Sequence, residues 1–132
     1  MSKSLQTDIA KLLLRVFFGL SMALAHGYGK IVKYFSGDEI QFLDPIGLGA
    51  STSLLFAGVS EFVFPIMVAV GLFTRLSSLP VMGTMAVAFL AVHLNDPYGK
   101  QELALVYLFV FTAIFLMGPG RFSIDSIFRN KN

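Results

Sequence analysis

Residues 50–73, ASTSLLFAGVSEFVFPIMVAVGLF, decide the fold of this chain. Across the wider segment 45–74, the only formally charged residue is Glu61. At about 1.5 Å per residue, a helix over residues 50–73 is long enough to cross a hydrocarbon core of about 30 Å. A helix in a soluble protein has no need of so long a run with a single charged residue. The segment therefore predicts a membrane span.

Glu61 lies near the middle of that span, ten or more residues from both Ser51 and Arg75. Its short side chain reaches neither interface, so it has to be protonated, paired with a cation or hydrated inside a helix bundle. An ionised group at the centre of a bilayer costs about 2.5–3.5 kcal/mol even on the lenient insertion scale. A carboxylate at this depth marks a candidate functional site, and a structural hydrogen bond between helices is the alternative.

The composition also indicates a membrane protein. Of the 132 residues, 55% are hydrophobic and 14% are charged, and the hydrophobic residues form long runs. The net charge of +2 comes from dispersed basic residues, which argues against a nucleic-acid partner. The sequence contains no cysteine, which excludes dithiol chemistry. Any electron transfer would therefore need a bound cofactor or a partner protein.

Three further apolar runs predict an all-α integral membrane protein, a four-helix up-down bundle in a single domain covering residues 1–132. Residues 34–49 predict a surface loop between the first two helices, lying at the membrane interface as a lid. The tail predicts a short interfacial helix. The predicted spans cover residues 9–33, 50–73, 77–94 and 101–118.

The basic residues predict the orientation of the bundle. Four spans bring both termini to one side of the bilayer, which carries seven basic residues against three on the other. Because basic residues concentrate in cytoplasmic loops, we expect cytoplasmic termini. The first set is Lys3, Lys11, Arg15, Arg75, Arg121, Arg129 and Lys131, and the second is Lys30, Lys33 and Lys100. A secretory signal peptide cleaved after Ala25 is an alternative interpretation of the first span.

The first helix carries a polar face and a series of small residues. Arg15 and His26 share one face at helical spacing, and Arg15 is close enough to the membrane boundary to snorkel to the headgroups. Gly19, Ala23 and Gly27 follow each other at intervals of four residues. Such a series predicts close approach of another helix.

Polar groups from all four helices are expected to meet in one half of the bundle, with His26 and Glu61 as the central pair. Two imidazoles and two carboxylates could hydrogen-bond the carbonyls of a quinone and pass protons to it, or only fix the bundle. They could also bind a metal, but the Glu-x-x-His pairs of di-iron bundles are absent, which disfavours a di-metal site. The candidate ligand-binding residues are His26, Glu61, His93 and Glu102, and the supporting charge partners are Arg15, Lys30 and Arg75.

Several short motifs in this order resemble the DoxX family of small bacterial and archaeal membrane proteins. They are HGYGK at 26–30, GLFTR at 71–75 and GPGRFSID at 118–125, with Glu61, His93 and Glu102 between them. The resemblance covers about residues 12–125. It implies a four-helix membrane protein with a link to redox chemistry, since the family's namesake resembles a subunit of a thiosulfate:quinone oxidoreductase.

Three functions remain open. The resemblance implies a membrane subunit of a quinone-linked oxidoreductase in a bacterial or archaeal inner membrane, with quinone as cofactor and a partner subunit that oxidises the substrate. The second is a non-enzymatic scaffold or assembly factor. The third is a small-solute or proton transporter, which would need a homo-oligomer because four spans without an internal repeat form no evident path.

Overall fold

The computed structural model describes residues 1–131, which form five helices and their connections. Four of the helices are long and apolar enough to cross a membrane. This confirms the predicted all-α fold with four spans and a surface loop, and the chain is a multi-pass membrane protein. The helices are α1 Lys3–Phe35, α2 Ala50–Val70, α3 Thr74–Val92, α4 Tyr98–Met117 and α5 Ile124–Lys131.

The helix ends follow local backbone chemistry. α1 begins at Lys3, earlier than the predicted span, because the side chain of Ser2 accepts a hydrogen bond from the amide of Leu5 and caps the helix. α2 ends at Val70 because Gly71 adopts a left-handed conformation with φ +76°. The turn is short, so α3 begins at Thr74, also earlier than predicted.

The first two helices cross at very short distance. A Cβ atom added at Gly19 would lie 2.6 Å from the carbonyl oxygen of Pro65. One added at Gly27 would overlap the backbone of Glu61. The prediction from the small residues of α1 is therefore confirmed, and Glu61 lies at the crossing point.

Three of the four spans contain a π-helical turn: Ala23–Gly27 in α1, Val59–Val63 in α2 and Ala88–Val92 in α3. The first two face each other at the α1–α2 crossing. Each π-turn accommodates one extra residue, so the face that follows it is rotated by about 100° relative to a regular helix. Such turns are rare in proteins as a whole, and those that occur are often found at functional sites.

The spans pack in a ring, each on the next, with α1 also against α4. Large apolar side chains on the outside are exposed, as contact with lipid requires. We call the end with the start of α1, the α2–α3 turn and α5 the terminal end, and the end with residues 36–49 and 93–97 the loop end. The core consists of Met22, Val68, Val81, Met85, Tyr107, Phe111 and Ile114.

Candidate functional site

Glu61 is buried, with 3% of its side chain exposed, and it forms an ion pair with Lys30 of α1. Lys30 retains 29% exposure, so it lies between Glu61 and the loop end. The pair neutralises the carboxylate inside the apolar span. Of the three cations predicted as charge partners, Lys30 is the one that reaches Glu61.

A cavity of about 280 Å³ adjoins this pair at the loop end. Its walls are formed by α2, α3 and Lys30, and residues 36–49, which we call the lid loop, cover it. Most of the lining is aliphatic or aromatic, and the polar exceptions are few. These are Lys30, Ser53, Glu61, Thr84 and His93.

The lid loop is anchored to the start of α2 through Asp44. The Asp44 carboxylate accepts hydrogen bonds from the amides of Leu48 (2.7 Å) and Gly49 (2.8 Å) and from the Ser53 hydroxyl (2.8 Å). The Ser53 hydroxyl, followed by the Gly49 amide, lowers the pKa of Asp44 below its usual value. Phe42 of the same loop lies 6.0 Å from the Lys30 ammonium, within range of a cation–π contact.

His93 lies at the end of α3, where its ring lines the cavity. Its Nδ1 atom is 2.7 Å from a carboxylate oxygen of Asp96. A carboxylate in this position accepts a hydrogen bond from Nδ1–H and fixes the tautomer and orientation of the ring. The Nε2 atom is therefore available for a hydrogen bond to a ligand.

His26 and Glu102 do not line the cavity. The His26 ring packs edge-on against Tyr107 of α4, with centroids 5.4 Å apart, and Glu102 is exposed in the first turn of α4. The predicted His26–Glu61 pair is replaced by Lys30–Glu61. The π-turn of α1 includes His26, and its extra residue rotates the next turn, so that Lys30 faces α2.

Arg15 caps the end of α2, and its predicted snorkelling is wrong. The side chain is 1% exposed, and its Nη1 atom donates to the carbonyl oxygens of Val68 (3.3 Å) and Ala69 (3.0 Å). Its Nη2 atom donates to Phe122. The last carbonyls of a helix lack intrahelical partners, and the guanidinium supplies the missing donors inside the bundle.

Arg75 and Asp125 cap two further helix ends. Arg75 donates from Nε to Phe115 (3.0 Å) and from Nη2 to Leu116 (3.4 Å) at the end of α4. Asp125 accepts from the Phe73 amide (2.8 Å) and from the amide and hydroxyl of Thr74 (2.9 and 2.8 Å) at the start of α3. Arg75 therefore binds carbonyl groups at the terminal end and does not pair with Glu61.

Sequence reasoning missed Ser53 and Thr84 as parts of the cavity, Asp44 as the anchor of the lid loop and Asp125 as a cap. Thr84 and Ser53 had a usable signal, since each is a polar residue within a predicted span. Within residues 1–131, no three histidine or carboxylate side chains form a group that could hold a metal ion. The cavity's chemistry is thus that of an apolar chamber with a paired cation and an imidazole at one side.

The sequence model of the DoxX family matches residues 10–94. The chain belongs to the DoxX family. The match includes α2, α3 and Lys30, and so every element that lines the cavity. A protein of Haemophilus influenzae described as uncharacterized is 30% identical over 117 residues, covering 83% of this chain and 84% of that protein. A second protein of the same organism, also described as uncharacterized, is 27% identical over 74 residues, covering 53% of this chain and 49% of its own. No solved structure gives a significant match.

Proposed function

We propose that this DoxX protein is the membrane subunit of a quinone-linked oxidoreductase and that the quinone ring binds in the cavity between α2 and α3. The observation that carries the proposal is the meeting of Lys30, Glu61 and His93 at one apolar cavity of about 280 Å³. Ligand cavities of this kind combine apolar walls with a few convergent polar groups. A quinone ring is apolar apart from its carbonyl oxygens, which accept hydrogen bonds.

The polar groups suit the chemistry of quinone reduction. Reduction to the quinol takes up two electrons and two protons, one proton at each carbonyl oxygen. Lys30 and His93 bring two nitrogen groups that can hydrogen-bond a quinone or a quinol, and Glu61 and Asp96 orient them. The aliphatic and aromatic lining excludes water and strengthens these interactions. The isoprenoid tail would extend into lipid.

A partner subunit supplies the electrons in this proposal. The sequence has no cysteine for dithiol chemistry, and in this proposal another protein oxidises the substrate and passes the electrons to the bound quinone. We place the protein in a bacterial or archaeal inner membrane with its termini in the cytoplasm, because the terminal end carries the excess of basic residues. The cavity then lies in the outer half of the membrane.

The two carboxylates and the two histidines of the sequence prediction provide matched variants for a binding test. The purified full-length protein in detergent is titrated with a radiolabelled short-chain quinone. Glu61→Gln and His93→Gln should each weaken binding by about tenfold, the equivalent of one hydrogen bond. Glu102→Gln and His26→Gln, which alter the same groups away from the cavity, should change it by less than about twofold. Equal affinities in all four variants would reject the site.

A scaffold or assembly factor is the second candidate, favoured by the fact that Lys30 and Glu61 satisfy each other. In that case Glu61→Gln lowers the stability of the bundle while the protein binds no quinone. Affinity purification should then recover the same membrane partner with the wild type and with a destabilised but folded Glu61→Gln variant.

A further inference from the structure

A second concavity, of about 390 Å³, lies at the terminal end, and we call it the terminal cleft. Basic side chains from α1, α3, α5 and the segment between α4 and α5 line it together with one carboxylate. The basic residues are Lys11, Arg75, Arg121 and Arg129, and the carboxylate is Asp8. The cleft differs from the loop-end cavity in its polar lining and in its position.

The turn between α4 and α5 forms one wall of the terminal cleft. Gly118 and Gly120 adopt left-handed conformations with φ +75° and +80°. A Cβ atom at Gly118 would lie 3.1 Å from Nη2 of Arg75, and one at Gly120 would lie 3.1 Å from Cδ of Lys11. The glycines thus allow the side chains of Arg75 and Lys11 to pack closely against the turn.

The charge in the terminal cleft is only partly compensated. Asp8 is engaged with Arg121, since it accepts from the Arg121 amide (3.1 Å) and lies 3.7 Å from its Nε. Within residues 1–131, no carboxylate lies within ion-pair distance of Lys11, Arg75 or Arg129. Three cationic side chains therefore share one concavity without an anionic partner from the described part of the chain.

The surroundings of the terminal cleft fit the boundary between water and lipid. The apolar helix α4 ends at Met117, which lines the cleft. α5 is short and amphipathic, and its Ile127 and Phe128 side chains are more than half exposed beside the basic residues. Helices of this type lie in the plane of the headgroups with their apolar side in the acyl region.

We propose that the terminal cleft binds the phosphate group of an anionic phospholipid. Arginine guanidinium groups pair with phosphate through two parallel hydrogen bonds, and basic pockets between spans are suited to anionic headgroups. Leu76 and Leu116 follow and precede the cleft-lining Arg75 and Met117 in the chain. They are 66% and 70% exposed and offer an apolar surface to the acyl chains. A phospholipid would bind both the basic cleft and the apolar surface, whereas a free phosphate would bind the basic cleft alone.

Lipid retention by the full-length protein tests the proposal. The protein is reconstituted with equal amounts of phosphatidylglycerol and phosphatidylcholine, extracted gently and analysed by native mass spectrometry. The wild type should retain phosphatidylglycerol preferentially. Lys11→Gln/Arg129→Gln should lower that retention by about thirtyfold, because two of the basic groups that attract the anionic headgroup are removed. An unchanged preference in this variant would overturn the proposal.

A charge-matched control separates a site from general attraction. Lys3→Gln/Lys131→Gln removes the same charge from exposed positions that do not line the terminal cleft. It should retain phosphatidylglycerol within about twofold of the wild type, and a loss equal to that of the cleft variant would overturn the proposal. Thermal unfolding of both variants in phosphatidylcholine verifies that each is folded.

Inorganic phosphate distinguishes a lipid from a soluble anion. Millimolar phosphate should leave phosphatidylglycerol bound to the wild type, since the acyl chains add to the affinity of the headgroup. If phosphate displaces the lipid and stabilises the wild type but not Lys11→Gln/Arg129→Gln, the natural ligand is a soluble phosphate and the lipid assignment is wrong.

Discussion

Lys30 and Glu61 differ in how much it costs to leave each of them without its ion-pair partner. Glu61 is 3% exposed on a short side chain, while Lys30 is 29% exposed and carries a long flexible side chain. An unpaired Lys30 can turn towards the loop end and recover hydration. An unpaired Glu61 stays in an apolar environment. The two single substitutions should therefore have different energetic costs.

Lys30→Met should lower the free energy of unfolding by about 3 kcal/mol, because it leaves a buried carboxylate without its partner. Glu61→Gln should cost about 1 kcal/mol, since Lys30 can be hydrated. The double variant should recover most of the loss of Lys30→Met. Chemical unfolding in detergent measures these values. Lys33→Met is the control, because the Lys33 ammonium donates to the Gln41 carbonyl in an exposed position and pairs with no buried carboxylate. If the two single variants lost the same free energy of unfolding, the claim that an unpaired Glu61 is more costly than an unpaired Lys30 would be wrong.

Asp44 makes the anchoring of the lid loop dependent on pH. Its folded-state pKa is lowered, chiefly by the Ser53 hydroxyl and next by the Gly49 amide. The anchor is therefore fully present above the pKa of an unfolded Asp, about 3.9, and is lost as pH falls through the lowered value. The protection factors of the Leu48 and Gly49 amides against hydrogen exchange should fall in that acid range. Asp44→Asn should lower them already at pH 7, and unchanged protection in that variant would exclude the anchor.

The sequence predicts that Glu61 lies deep in the membrane and needs a partner. An apolar run of this length, with no other charged residue, is typical of a membrane span. It does not predict which partner. His26 and Lys30 are one turn apart on α1, and the π-turn at Ala23–Gly27 decides which of them faces α2. The sequence predicts a headgroup contact for Arg15, because nothing in its local sequence reveals the carbonyl groups at the end of α2 that accept from it.

At the scale of helices, the crossing of α1 and α2 depends on Gly27. Gly27→Ala should destabilise the bundle by about 1–3 kcal/mol, because the new Cβ overlaps the Glu61 backbone and forces the helices apart. Gly29→Ala is the matched control, since nothing lies within 4 Å of its added Cβ and alanine favours a helix. Thermal unfolding in detergent compares them. Equal melting temperatures would show that the crossing tolerates a wider separation.

The cap of α3 is supplied from the distant tail. Asp125→Asn should lower the free energy of unfolding by about 1–2 kcal/mol, because the carboxylate serves two amides and a hydroxyl at once. Asp38→Asn, in the exposed part of the lid loop, removes the same charge and should change stability by less than about 0.5 kcal/mol. Equal losses of stability in the two variants would indicate that the effect comes from the change in net charge and not from the cap.

Helix positions could be predicted closely from the sequence, and their irregularities could not. Hydropathy identifies the spans, but the π-turns of α1, α2 and α3 have no simple sequence signal. The motifs GLFTR and GPGRFSID proved to contain capping groups, namely Thr74, Arg75 and Asp125. Their partners are far apart in the chain, so the caps become visible only in three dimensions.

The two ends of the whole molecule differ in construction. The terminal end is held by long-range hydrogen bonds from Arg15, Arg75 and Asp125 to helix ends. The loop end contains the cavity, whose cover is a loop tied down mainly through Asp44. We therefore expect motion to concentrate at the lid loop and the bundle to stay fixed below it. The predicted central meeting of four polar residues is replaced by a cavity between two helices.

Photolabelling with an azido-quinone tests the central claim most directly. The full-length protein in membranes is irradiated with the probe and the labelled peptides are identified by mass spectrometry. Label should appear in the lid loop around Phe42 and at the end of α3 around His93, and an excess of unlabelled quinone should suppress it. Label confined to the α1–α4 face around His26 and Tyr107, or label that excess quinone does not suppress, would contradict quinone binding between α2 and α3.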